Sequence, residues 1–553
     1  MRLSPWTGSL VVTLTAGLAC SDSAGTESAG DEIDGTSSSS DSGDSGSTSD
    51  TGTSGTTTTD DSTTTTSDSS DSGFKFDLEP GGDAGTGGSG VACTSDLQGV
   101  VDEQGNLVEN CGPDEGCFEG QCIPACEAAA LSQGSIGCEY WTPYPAFYLN
   151  DYGDTSFDGS CHAVMIANNW SAPAQLSLTY QGQAHDVTSH ARIPNGIGAN
   201  VTYDPLPADG VPVGEVAILF LSHQPDAQNF GNSLACPFPP VVVGNEAAVG
   251  AGSGDAFESG SDHPITLYDI LPYGGAKSFL PSASLLIPRT AWGDNYVLPT
   301  PHYPSGKTWA LAVARENGTT VTISTPGSVI AGSIPVPPVN VPTNYQLDAG
   351  EFVQWTATTE IAGSVNQSDK PVGVYTGNSY LRVSTQDSFG GGQDAAHQQV
   401  AHVQALASEY VGLGIPTRRQ DLMHESALYR IVGVVDGTVL SYDPAPPPGA
   451  PTMLASGQYA EFETRDFFSV SSQDEDHPFA FTQYMAGAFM PNLGGCVTLD
   501  FQCGLGDEEW ITLVPPAQYL SSYAFFVDPT YGVTTLALVR AQGNNGFADV
   551  ELE

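Results

Sequence analysis

Few residues in this chain invite a chemical reading. Asp262-His263 and Asp476-His477 set a carboxylate beside an imidazole, the pairing that general acid–base chemistry uses. The same step recurs with Lys370 after Asp369, so a structural role fits better: a carboxylate capping a turn before an edge strand. His397 and His402 stand five residues apart on a predicted short helix, a poorer spacing for one metal ion than i, i+4. Asp474-Glu475-Asp476 and Gly506-Asp507-Glu508-Glu509 gather the oxygen donors that Ca²⁺ takes, but without EF-hand or nonapeptide spacing. Gly306-Lys307-Thr308 copies the end of a phosphate-binding loop; Pro301 occupies the place of the required earlier glycine, and a strand pattern follows. Asp50-Thr51-Gly52 copies an aspartic-protease triplet inside a low-complexity tract. No Gly-x-Ser-x-Gly elbow and no His-Glu-x-x-His occurs. The reading is therefore no catalytic residue, no enzyme and no cofactor, with Ca²⁺ at the acidic clusters the one candidate metal. Trp292 and Tyr296 could form a binding surface at a unit junction, although core packing suits both better.

Charge narrows the partners. The 553 residues carry 14 Lys+Arg against 64 Asp+Glu, a net charge of −50, which repels phosphate backbones and anionic lipid headgroups. Nucleic acid is excluded, and contact with a membrane is expected only through an N-terminal lipid. Gly 64 and Pro 39 disfavour long helices and suit turns and strands.

The chain reads as a series of segments. Residues 1–19 are a signal peptide: Arg2 supplies the charge, and the apolar stretch from Leu10 to Leu18 is too short to span a bilayer. It ends in Gly17-Leu18-Ala19-Cys20, similar to a bacterial lipobox with its Leu one place late, so Cys20 is the predicted lipid anchor. An ordinary secretory signal is the alternative. Residues 20–90, rich in Ser, Thr, Asp and Gly, cannot bury apolar surface and read as a disordered tether, with an r.m.s. span of roughly 45 Å for some 70 residues. Residues 91–140 form a small module with Cys93, Cys111, Cys117, Cys122, Cys126 and Cys138. Cys161, Cys236, Cys496 and Cys503 complete an even set once Cys20 is set aside, which in an exported chain reads as disulfides. Cys496–Cys503 is the nearest single pair; the connectivity of the module stays open.

From there on the chain repeats. Ser261-Asp262-His263-Pro264-Ile265, Ser368-Asp369-Lys370-Pro371-Val372 and Glu475-Asp476-His477-Pro478-Phe479 align, with 107 residues from each Asp to the next. Trp292-Gly293-Asp294-Asn295-Tyr296 corresponds to Leu406-Ala407-Ser408-Glu409-Tyr410, and more loosely to Leu520-Ser521-Ser522-Tyr523. Asn317-Gly318 and Asp436-Gly437 lie between β-rich runs and predict hairpins. The prediction is all-β: about 3.5 copies of a β-sandwich-like unit in series. A partial first unit spans 141–284, further units 285–400 and 401–511, and a partial one 512–553. Closure into a β-propeller is the alternative. The Asp-x-Pro step opens the last strand of each unit, and one short helix is predicted near Ala395 to Leu406.

These residues give the chain a family resemblance. Asp394-Ala395-Ala396-His397-Gln398-Gln399-Val400 running into Leu406–Val411, Val434-Val435-Asp436-Gly437-Thr438, Ser472–Phe479 and Phe526-Val527-Asp528-Pro529-Thr530-Tyr531 together resemble the IgGFc-binding protein family, in a bacterial, myxobacterial-type lipoprotein branch, over roughly 138–553. Where the family often has Cys before the Asp-x-x-His step and Pro-Pro after the Gln pair, this chain has Gly390-Gly391-Gly392-Gln393 and Ala401-His402. That disulfide is absent here and the local turn differs. The resemblance implies a secreted or surface-bound module that binds or adheres to an extracellular protein or glycan, without catalysis; it maps no ligand-binding residue. The predicted location is export with a lipid anchor in the outer membrane or at the cell surface. A secreted hydrolase with an unrecognised site and a purely structural envelope protein are the competing classes.

Overall fold

Thr308–Ala314 (Thr-Trp-Ala-Leu-Ala-Val-Ala) is apolar on both faces, and every one of its residues is buried. A run of that kind belongs between two other strands in the middle of a sheet. In the computed structural model it lies between Glu351–Ala357 and the long strand Val365–Leu381. Thr319–Ser324 alternates instead: Thr319, Val321 and Ile323 point inward, so it covers a core with one face only. The structure describes residues 10–13, 90–145 and 157–487 (apart from 230, 279, 302–305, 389, 391–393 and 420), then 506, 508–520, 523, 525–532, 534–541, 547 and 550. Cys20, nearly all of the predicted tether, Cys496 and Cys503 lie outside the described residues.

The body is all-β, built of several sheets in tandem, and the sheets do not close into a propeller. Its plan repeats three times around a long strand that changes sheets. In the first copy, the front half of Phe257–Leu271 pairs with Gly137–Thr142 and Leu176–Tyr180, and its back half with His162–Ala167 and Ser282–Leu285. In the second, the front of Val365–Leu381 pairs with Gly293–Val297 and Thr319–Ser324, and the back with Thr308–Ala314 and Asp394–Val400. In the third the long strand is broken in two. Phe468–Ser472 pairs with Glu409–Gly412 and Thr438–Asp443, and Phe479–Met485 with Ala427–Gly433 and Glu509–Thr512. In the first copy Gly137–Thr142 takes the first place in this pattern.

Three local expectations are corrected. The Asp-x-Pro step opens a strand only in the third copy; in the first two it sits inside the long strand, where the ladder passes from one sheet to the other. Proline has no N–H to lose at such a handover. The turns at Asn317-Gly318 and Asp436-Gly437 do not make hairpins. Thr308–Ala314 and Thr319–Ser324 never pair with each other, since Val365–Leu381 lies between them, nor do Ala427–Gly433 and Thr438–Asp443, which lie in separate sheets. Gly318 and Gly437 (φ +67° and +76°) supply the left-handed residue such a turn needs, but the apolar first strand prefers two buried neighbours of its own to a hairpin partner. Finally, Ala395 to Leu406 is not a helix. Asp394–Val400 is a strand with all seven residues buried, and Val403–Ala405 is a single 3₁₀ turn. Ala and Gln favour helix locally, but a site with strands on either side overrides so weak a preference.

The N-terminal module packs onto the first copy. Cys93–Cys117, Cys111–Cys122 and Cys126–Cys138 close it, Cys161–Cys236 lies in the first copy, and the helix Ala125–Ser132 is the longest among the described residues. Trp170, wholly buried, donates its indole N–H to Pro113 O at 2.8 Å and ties the two together. Leu10–Thr13 pairs antiparallel with Ala537–Arg540. Among the described residues no helix is long and apolar enough to cross a membrane.

Candidate functional site

The copies are joined by a repeated device. After each long strand come a last strand, a single 3₁₀ turn and a tyrosine. The strands are Ser282–Leu285, Asp394–Val400 and Glu509–Thr512; the turns are Arg289–Ala291, Val403–Ala405 and Pro516–Gln518. Each tyrosine hydroxyl then accepts the N–H three residues back: Gly293 to Tyr296 at 3.2 Å, Ala407 to Tyr410 at 3.1 Å, Leu520 to Tyr523 at 2.7 Å. Tyr140 stands in the same relation to Gly137 and donates to Ile265 O at 2.6 Å, as Tyr296 does to Val372 O. Tyr140 went unnoticed in the sequence; the pattern Gly-x-x-Tyr was the available signal. Tyr296 and Trp292 are accordingly core residues, 2 % and 6 % exposed.

The last strands of the three copies meet. His397 N–H and Gln399 N–H donate to the hydroxyls of Ser282 and Ser284 (3.0 and 2.8 Å), and Ser282 in turn donates to Glu509 Oε1 at 3.3 Å. Beside this meeting point lies a cavity of about 410 Å³, lined by Ala283, Gln398, Tyr410, Phe481, Glu509 and Phe526 among others. Its volume suits a small-molecule site. Asp394, Glu508, Glu509 and Asp528 are among its lining residues, and among those described there is no Lys or Arg. Burial pushes Glu509 up to about 8 against the N–H of Trp510 and the Ser282 hydroxyl, and it raises Asp528 against the N–H groups of Thr530 and Gly275. His402, also on the wall, is pushed down to about 4 by burial.

The other chemical candidates are spread through the body. His397 does not join His402. It reaches across to Asp269 (Nε2 to Oδ1, 3.0 Å), while His402 packs against the Tyr296 ring. His162 Nε2 lies 3.9 Å from Asp269 Oδ2, too far for a hydrogen bond, and all three side chains are buried. Burial would raise Asp269, but the two histidines outweigh it and hold the carboxyl at about 2; burial pushes His162 down. Asp269 was missed in the sequence, although an acid inside the apolar run Ile265–Leu271 marked it. Asp262 accepts Gln175 N–H and contacts His263, whose other nitrogen reaches Asp114; Asp369 accepts Thr320 N–H. In the third copy Asp474 does this work, accepting from Asp476 N–H and contacting His477. Lys307 is buried and leads into a strand. Among the described residues no three His, Cys, Asp or Glu side chains are placed to share a metal ion; Asp507 of the second acidic cluster and Asp50-Thr51-Gly52 lie outside them.

A different kind of surface stands on the third copy. Leu422 has φ +58° and is 78 % exposed, next to Met423 (56 %) and near Phe467 (53 %), whose ring meets His424 edge-on. A bulky residue in the left-handed region costs about 1–2 kcal/mol. The base of the loop is an ionic frame with a buried centre: Arg418 grips Glu425, Arg419 and the half-buried Arg465 share Asp387, and Arg419 also holds the exposed Asp421. The frame fixes a strained apolar tip in the solvent.

No curated protein and no solved structure matches the chain. Residues 282–553, which begin at the first of the three meeting strands and take in the exposed tip and part of the cavity lining, match the family model described as IgGFc binding protein.

Proposed function

We propose that the protein is an exported binding module, held at the cell surface or outer membrane by a lipid on Cys20, which captures an extracellular protein with its third β copy. The observation that carries this reading is the match of residues 282–553 to a family whose name denotes binding of an extracellular protein, the Fc part of immunoglobulin G. Four disulfides suit an oxidising compartment, and the charge of −50 argues against phosphate-bearing partners. The contact surface is the tip of Leu422, Met423 and Phe467: preformed, apolar and rigidly based, the properties that concentrate binding energy in a few residues.

The test uses the intact, anchored protein. Cells displaying the wild type should retain extracellular protein at micromolar concentration, with purified Fc as the first probe and albumin as the control. Leu422→Ser with Phe467→Ser should lower retention about tenfold or more while thermal unfolding stays within a degree or two. Retention equal to the albumin control would overturn the binding reading. Unchanged retention by the double variant would move the contact elsewhere. Cys20→Ala should shift the protein to the soluble fraction; continued membrane association would remove the anchor.

A further inference from the structure

We propose that the apolar tip of the third copy docks on the turn at residues 212–215 in the first copy of a second molecule. The protein then associates head to tail, through the same contact that joins its own copies. This rests on the reading of the tip as a contact surface and deepens it by naming the partner, another copy of this chain.

Each copy has a glycine turn at one end and a set of loops where its long strand begins. The turns are Val213-Gly214-Glu215, Ala349-Gly350-Glu351 and Ser456-Gly457-Gln458. Their glycine N–H groups donate to Asn168 O, Ala314 O and Gly433 O (2.8, 3.0 and 2.9 Å), so the three turns hold the same place in the three copies. Within the chain, the turn of one copy sits on the loops of the copy before it. Gly350 O accepts the N–H of Ala256 at 2.8 Å, and a Cβ on Gly350 would stand 3.9 Å from the Trp141 ring. Gly457 meets Gly363, and Arg430 of the same copy grips Glu360 and the Thr300 carbonyl. Ala256 and Gly363 stand one and two places before their long strands; Phe467 stands one place before Phe468–Ser472, the first piece of the third. The pairs Gly412–Phe468 and Asp443–Ser469 bring the loops after both neighbouring strands to the same end. Phe467, with Leu422 and Met423, therefore forms the seat that the turn of a next copy would take, and all three are exposed. At the other end of the series the turn is bare. A Cβ on Gly214 would meet nothing within 4 Å among the described residues, and Val213 beside it is 40 % exposed. The N-terminal module packs on the neighbouring turn, through Gln98 to Asn169 O and Trp170 to Pro113 O, and leaves Val213, Gly214 and Glu215 exposed. Tandem arrays need polar outer faces on their terminal copies to stay in solution. Here one end presents an apolar seat and the other the turn that such a seat holds elsewhere in the chain. Seat and turn are different surfaces, so the contact does not close on itself and adds one molecule after another. The net charge of −50 opposes the approach, and salt screens that repulsion without weakening an apolar contact.

The test is sedimentation velocity on the full-length chain carrying Cys20→Ala, which leaves off the lipid, from about 1 to about 200 µM. This parent should form an open series of oligomers that grows with concentration, more strongly in about 0.5 M than in about 0.05 M NaCl. Two variants separate the ends. Leu422→Ser with Phe467→Ser removes the seat, and Val213→Glu sets a charge on the turn. Each alone should stay monomeric where the parent associates, a weakening of about tenfold or more. An equal mixture of the two should give a dimer and nothing larger, because one intact seat then meets one intact turn. Thermal unfolding of each variant confirms that it is folded. A parent that is monomeric at every concentration, association retained by either variant alone, or a mixture that stays monomeric would each overturn the proposal. Retention of Fc by displaying cells, lost in the tip variant, together with a monomeric parent would keep the tip as a contact surface and remove only this partner. The two readings therefore fail separately.

Discussion

Asp269 and Glu509 are both carboxyls on β-strands, deep in the body where copies of one unit meet, yet they are driven in opposite directions. Asp269 lies between His397 and His162 and is held at about 2. Among the described residues Glu509 receives a hydroxyl and a backbone N–H, and burial lifts it to about 8. Burial alone pushes both upward; what separates them is whether the fold brings a basic side chain into reach. The first arrangement is a closed structural contact joining the first and second copies. The second leaves a proton-holding group beside an open cavity.

The largest expected effect comes from breaking the closed contact. Asp269→Asn takes the charge from a fully buried cluster and should cost about 3 kcal/mol, read as a lower urea midpoint with an unchanged slope. Glu509→Gln at pH 4 should stay within about 0.5 kcal/mol of the wild type, because there the amide replaces a carboxyl that keeps its proton in the folded and the unfolded chain alike. Equal losses from both substitutions would erase the distinction.

The pH dependence sharpens it, since the two signs are opposite. Folded Glu509 keeps its proton between 4.5, its ordinary value, and about 8, where the unfolded chain has released it. Its contribution therefore makes stability fall as pH rises through that window and level off above it. Folded Asp269 is depressed below 3.8, so its contribution is present above 3.8 and is lost as pH falls towards about 2. Denaturation of the wild type and both variants from pH 2 to pH 9 should show Glu509→Gln flattening only the upper window and Asp269→Asn only the acid one. The smallest effect is an uncharged reference at the same junctions. Tyr296→Phe and Tyr410→Phe each remove the hydroxyl that accepts a backbone N–H and should each cost about 1 kcal/mol. A much larger cost for one of them would show that the copies do not carry equal loads.

Much of the architecture was legible because it repeats. The Asp-x-Pro step and the tyrosine after each junction are local signals that recur in every copy, and the glycine turns at Gly318 and Gly437 recur in the second and third. Reading the glycine turns as hairpins failed on a matter of partners. Asn317-Gly318 specifies a turn, but a turn does not say whether its two arms pair with each other or each with a third strand between them. The helix expected near Ala395 failed for a related reason: Ala and Gln carry a helix preference of a few tenths of a kcal/mol each, and burial between two strands outweighs it. At the cavity, Gln398, Gln399, Glu508 and Glu509 were all visible as motif or acidic cluster. That Glu509 would lie by Ser282, far away in the chain, was not.

By itself the sequence determined the acidic charge, the disulfide-rich module of residues 93–138, the β class and the order of the copies, since composition and short-range spacing carry all of these. Only the tertiary structure decided which strands pair, that the last strands of three copies converge, and which buried acid receives a base. Those outcomes depend on residues more than a hundred positions apart, and contacts at that range are selected by burial and packing of the whole chain rather than by any local preference.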